Sequence, residues 1–126
     1  MLLMLAVVLL GLVALMLVPL RSGTPREPRV IALEARGMAF YASGLGERNP
    51  ILRLHAGEQV RIILRNREPG MTHDFAVPSL NIAIPALKEE EQGEIIFRAP
   101  SSSGRLEYLC RPHAPMMKGI IEVVAW

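Results

Sequence analysis

From about residue 30 onwards the chain alternates apolar and polar residues with a period near two. In "EQVRIILRN" (58 to 66), Val60, Ile62 and Leu64 share one face while Arg61 and Arg65 fall on the other, the pattern of a strand buried on one side. "VIALEAR" (30 to 36), "GEIIFRAP" (93 to 100), "GRLEYLC" (104 to 110) and "GIIEVVAW" (119 to 126) are also rich in β-branched residues, and Gly, Pro, Ser and Asn separate them. The shorter runs "MAFYA" (38 to 42), "ILRL" (51 to 54) and "HDFAV" (73 to 77) bring the expected count to about eight strands. That many short, evenly spaced strands predict an all-β sandwich.

The first twenty residues break this pattern. "MLLMLAVVLLGLVALMLVPL" carries no charge, and as a helix it would extend about 30 Å, the thickness of a bilayer's hydrocarbon core. It lacks the basic start and the small-x-small cleavage site of a secretory signal, so it reads as a single retained transmembrane helix. Residues 21–28, "RSGTPREP", have no periodicity and read as a tether reaching at most about 25–30 Å. The expected organisation is an anchor over 1–20, a linker over 21–28 and one domain over 29–126. Arg21, Arg26 and Arg29 follow the apolar run, and positive charge beside a span ordinarily marks the cytoplasmic side.

Composition narrows the function. The chain has 126 residues, enough for one domain with a modest core. All 14 basic and 12 acidic side chains lie beyond the apolar run, and a net charge of +2 gives no reason to expect a nucleic-acid partner. A single cysteine excludes an internal disulfide.

That cysteine lies in "YLCRPHAPMMKG" (108 to 119), with a histidine three residues on and two methionines beyond. Alternation in "RLEYLC" places Leu106, Tyr108 and Cys110 on one face, so the thiol points inward at a strand end. Pro112 and Pro115 fix φ and remove donors, which restricts the loop carrying His113, Met116 and Met117. His73, at the start of the "HDFAV" run, is the fourth candidate. One thiolate, two imidazoles and one thioether suit copper cycling between Cu(I) and Cu(II). Structural zinc more often takes several cysteines, and catalytic zinc keeps an open position. With four protein ligands no position remains for a substrate, so electron exchange is the expected chemistry.

From about residue 29 onwards the chain resembles a cupredoxin, a small blue copper protein of the plastocyanin, amicyanin and azurin type. The resemblance rests on "GEQVRIILRNRE" before the first ligand, His73 opening a strand, the C-x2-H-x3-M-x-G spacing and a closing strand. It implies a Greek-key β-sandwich binding one copper through His73, Cys110, His113 and a methionine. An H-x2-M spacing would choose Met116; the family's methionine is typically followed by x-Gly, and Met117-Lys118-Gly119 fits that register. Met117 is therefore the expected axial ligand.

Two departures stand out. The family usually has Asn after the first histidine, where this chain has Asp74, a carboxylate that can still accept backbone N–H bonds when buried but is expected to add negative charge near the metal and lower its potential. "HDFAVPSLNI" also resembles a stretch of cytochrome oxidase subunit II. The dinuclear copper centre there needs a second cysteine four residues from the first, and those positions here are Leu106 and Ala114.

Each candidate residue also has an ordinary structural reading: a lone cysteine is usually a small buried hydrophobe and a methionine usually core filler. The spacing of the set is what points to a metal. His55, in "RLHAGEQ", has no partner motif and reads as a surface histidine; Glu89, Glu90 and Glu91 read as a solvated turn, or alternatively as a patch that steers a basic cytochrome. The resemblance implies a membrane-anchored electron carrier, or an electron-transfer subunit of a respiratory or photosynthetic complex, on the periplasmic or outer face. The expected partners are a membrane electron-transfer complex or a c-type cytochrome, and the lipid bilayer through residues 1–20, with no small-molecule substrate. The alternatives are a copper-delivery protein and a structural accessory subunit that keeps the fold. A copper enzyme is not expected, because three histidines do not suffice for a second, substrate-reducing metal site.

Overall fold

Nine strands form among the described residues, 23–126, of a computed structural model: β1 (Arg29–Arg36), β2 (Ala39–Ala42), β3 (Leu52–His55), β4 (Gln59–Asn66), β5 (His73–Val77), β6 (Ile82–Leu87), β7 (Gln92–Arg98), β8 (Gly104–Leu109) and β9 (Lys118–Val124). The apolar run expected to be a membrane anchor, residues 1–20, lies outside the described residues. Residues 23–28 carry no regular structure.

The strands make two sheets, one in the order β2-β1-β4-β7 and the other in the order β3-β9-β8-β5-β6. Two neighbouring pairs are parallel, β1 with β4 and β3 with β9. The alternation in β4 does what its pattern predicts: Val60, Ile62 and Leu64 are buried and join Leu54, Phe75, Val77, Tyr108 and Ile121 of the other sheet in one core. Burying each such side chain contributes about 1.5–3 kcal/mol. At the centre Phe40, Phe75 and Tyr108 pack ring against ring, with centroids 5.4–5.7 Å apart.

The expected count of about eight strands misses β6. Its sequence, "IAIPAL", contains Pro85, which argues against a strand inside a sheet because proline has no N–H for the ladder. β6 is an edge strand, paired only with β5, and Pro85 is exposed there. An edge tolerates a missing donor.

The register fixes which ends of the strands coincide. The end of β4, the start of β5 and the end of β8 lie together with the loop that follows Cys110. The opposite end holds the starts of β1 and β4 and the ends of β3, β7 and β9. An eight-residue strand separates them, roughly 25 Å.

Candidate metal centre

His73 opens β5, a strand buried along its whole length, so its imidazole is fully enclosed. Cys110 follows the last residue of β8 and is also fully buried. A short 3-10 turn, Arg111–His113, then swings His113 back over the thiol. The turn is held by the His113 N–H donating to the Cys110 carbonyl at 3.1 Å. The Met117 N–H donates to the His113 carbonyl, and the Cys110 N–H to the Met117 carbonyl, both at 2.9 Å. The last of these bonds closes the loop as β9 begins.

This arrangement brings three donors together. Cys110 Sγ lies 3.8 Å from His73 Nδ1 and 3.5 Å from His113 Nδ1, and all three atoms are within 4.8 Å of one another. A metal bonded to sulfur at about 2.3 Å and to nitrogen at about 2.0 Å, at an angle of about 110–120°, separates the two by about 3.5–3.7 Å. The geometry therefore fits a shared ion. Of the two methionines, Met117 is completely buried, whereas Met116 is 52% exposed.

The residues around the donors were not legible as a motif. Glu68, in the loop after β4, places Oε2 2.7 Å from His73 Nε2 and accepts the Met38 N–H at 2.9 Å with the same oxygen. A proton on Nε2 leaves the Nδ1 lone pair free to face the sulfur, the usual division of labour in a ligating histidine. Burial works against the Glu68 charge, but the Met38 N–H and the His73 ring outweigh it and hold the carboxyl below its ordinary value. Asn66 shapes this loop: its amide donates to the Met71 and Leu87 carbonyls, and its Oδ1 accepts the Glu68 N–H. From the connection between β2 and β3, Asn49 donates to the Met116 carbonyl at 2.9 Å and pins the ligand loop. The only sequence signal for Glu68 is its place in the turn-like "NREPG" before His73.

Asp74 behaves differently from the simple expectation of added negative charge. It is buried and accepts the Arg111 N–H at 2.8 Å and Arg111 Nε at 2.6 Å, so a cation sits directly on the carboxylate. The pair also ties the His73 strand to the Cys110 loop. Burial pushes the Cys110 thiol above its ordinary value, although backbone N–H groups of Asp74 and His113 bear on the sulfur and favour the thiolate. Metal uptake there must therefore displace a proton. His55 is far from this site: it ends β3 at the opposite end of the sandwich, half-buried under Trp126. Glu89, Glu90 and Glu91 are exposed in the turn between β6 and β7, where Glu90 pairs with Arg65 and Arg67.

The fold matches solved structures. Auracyanin A from Chloroflexus aurantiacus, described as a blue copper protein, aligns with a TM-score of 0.59 at 21% identity, over 78% of this chain and 100% of its own. Auracyanin B aligns at 0.61 and 22% identity, over 80% of this chain and 93% of its own. The chain has the cupredoxin fold. A copper-containing nitrite reductase from Thermus scotoductus shares the cupredoxin fold at a TM-score of 0.59 and 22% identity, but this chain spans only 28% of that enzyme. No protein-family model matches the sequence, and no curated protein matches it.

Proposed function

We propose that this chain is a membrane-anchored type 1 copper protein that carries single electrons on the extracytoplasmic face, exchanging them with a membrane complex or a c-type cytochrome. The observation that carries this reading is the convergence of His73 Nδ1, Cys110 Sγ and His113 Nδ1, with Met117 buried in the same loop. When bound, copper supplies a one-electron couple that a thiolate, two imidazoles and a weak axial thioether suit in both oxidation states.

The chain's own residues do the rest. Burial of His73 and Cys110 keeps water from the donors, and the hydrogen bonds that close the loop hold them in one geometry. Little rearrangement is then needed when charge changes. His113 is only half-buried, and Pro112, Pro115 and Met116 around it are exposed. This small apolar rim suits brief docking, because limited apolar contact excludes water yet releases quickly. Copper delivery is the second reading, and it calls for a more open site than two fully buried donors provide. Residues 1–20 supply the membrane attachment in this proposal, as the only long uncharged run in the sequence.

A visible spectrum of the copper-loaded protein, with and without reductant, tests the function. Intense blue or green absorption that bleaches on reduction and is abolished by Cys110→Ser is expected. Only the faint absorption of an ordinary Cu(II) site would remove the electron-carrier reading and favour delivery or a structural role.

A further inference from the structure

The end of the sandwich opposite the metal donors carries a feature the electron-transfer reading does not use. Trp126, the only tryptophan of the chain, lies flat on His55 with centroids 4.2 Å apart and an interplanar angle of 10°. Its Nε1 donates to the Ala56 carbonyl at 3.1 Å, yet the residue is 78% exposed. Beside it opens a cleft of about 370 Å³ lined by Arg26, Glu27, Arg29, Glu58, Arg98 and Trp126. Arg29 is occupied by Glu58 at 2.6 Å and by the Arg53 carbonyl. Arg98 spends one nitrogen on the Gly57 carbonyl, and the cleft as a whole sets Arg26, Arg29 and Arg98 against Glu27 and Glu58, a surplus of one positive charge. Further up the same half, Arg53 and Arg105 share the Glu122 carboxylate, and Glu107 is exposed two residues beyond Arg105. The acidic turn at Glu89–Glu91 lies at the other end.

We propose that this end of the domain rests on a membrane surface, with anionic phospholipid headgroups in the Arg26/Arg98 cleft and the Trp126 indole at the interface. The proposal rests on the reading of residues 1–20 as the anchor and goes beyond it by assigning a lipid-facing surface to the folded domain. Two observations select lipid as the occupant. The described chain starts at Gly23 and lines this cleft by Pro25, so a span ending near residue 20 leaves only a few residues between bilayer and cleft. The residue types are also those of an interface: guanidinium groups pair with phosphate in a fixed fork, and an indole places an apolar body and a polar N–H at headgroup depth. In this pose the metal donors stand about one strand length, roughly 25 Å, from the lipid and face away from it.

Trp126 provides its own reporter. The full chain is reconstituted into vesicles of phosphatidylcholine alone or with one-third phosphatidylglycerol, vesicle association is checked by flotation, and tryptophan emission and acrylamide quenching are recorded. In the phosphatidylglycerol vesicles the emission should shift to the blue, acrylamide access should fall, and lipids brominated near the headgroup should quench. Arg26→Gln with Arg98→Gln should reverse most of that change without altering flotation. If the chain floats but Trp126 stays as accessible as in free solution, the headgroup contact is wrong while the anchor stands. Shielding that depends on neither phosphatidylglycerol nor the two arginines also overturns the headgroup site. A chain that does not float overturns the anchor, and this proposal with it.

Discussion

Gly119 is the residue at which packing and the metal loop meet, and replacing it with alanine is the most direct test of the structural reasoning. Tyr108 pairs with Gly119 across β8 and β9, and its ring lies over the glycine. A methyl group at residue 119 would come within 2.7 Å of Tyr108 Cε1 and closer still to Cζ and Oη, where carbon atoms normally sit about 3.5–4.0 Å apart. The ring has nowhere to go. Phe40 and Phe75 clamp it, and its hydroxyl donates to the buried-side carbonyl of Pro50 at 2.6 Å. Overpacking of this kind costs about 1–3 kcal/mol, and a displaced hydroxyl adds about 1–3 kcal/mol for the hydrogen bond left unmade. Gly119→Ala should therefore destabilise by about 3 kcal/mol, a fall in Tm of about 12–24 °C for a domain of roughly 100 residues. Urea unfolding of metal-free protein gives the cleanest reading, because bound metal would mask part of the loss. In a Tyr108→Leu background the same glycine substitution should cost less than about 1 kcal/mol, since the obstructing atoms are gone. A Gly119→Ala protein within about 0.5 kcal/mol of wild type would refute the argument, as would an equal cost in both backgrounds.

Three further outcomes follow from the site. Met117→Gln should retain copper but lower the reduction potential, while Met116→Gln should change it little, because the first side chain is enclosed and the second half-exposed; voltammetry showing the reverse would move the axial role to Met116. Glu68→Gln should raise the potential by on the order of 40 mV, since it keeps the hydrogen bond to His73 Nε2 and removes about 1 kcal/mol of charge assistance to the oxidised state; an unchanged potential would show that this carboxylate only positions the ring. Asp74→Asn should also raise the potential, by leaving the Arg111 cation uncompensated, and adding Arg111→Gln should bring it back toward wild type. Equal shifts in the single and double variants would mean that the pair does not cancel near the metal.

What could be read from the sequence was whatever depends on local spacing. The alternation of Val60, Ile62 and Leu64 reports a half-buried strand because side-chain direction follows from position alone. Cys110, His113 and Met117 are close in sequence, so one short turn brings them together, and only His73 had to be supplied from a distant strand. The glycine two residues after Met117 was visible as a motif, but its cause was not: the Tyr108 ring over it is a cross-strand contact. Glu68, Asn49 and the Asp74–Arg111 pair escaped for the same reason. Each acts between segments 5 to 67 residues apart, and nothing in their immediate neighbours marks them as partners. Strand β6 escaped because Pro85 is a valid signal against an interior strand, and sequence alone does not say which strand is at an edge.

Pro85 on that edge has a consequence for behaviour in a crowd. An open sheet edge offers unpaired N–H and C=O groups to any neighbour, and chains held at high density meet edge to edge far more often than chains in dilute solution. β6 is the edge next to the strand that opens with His73, so self-pairing there would draw two copies together beside the donors. An exposed proline interrupts the row of donors at mid-strand and denies an incoming strand a continuous ladder. Replacing it with valine would lengthen the pairing-competent edge, and the first sign of trouble would be loss of colloidal stability on concentration rather than any change in the fold of the single molecule.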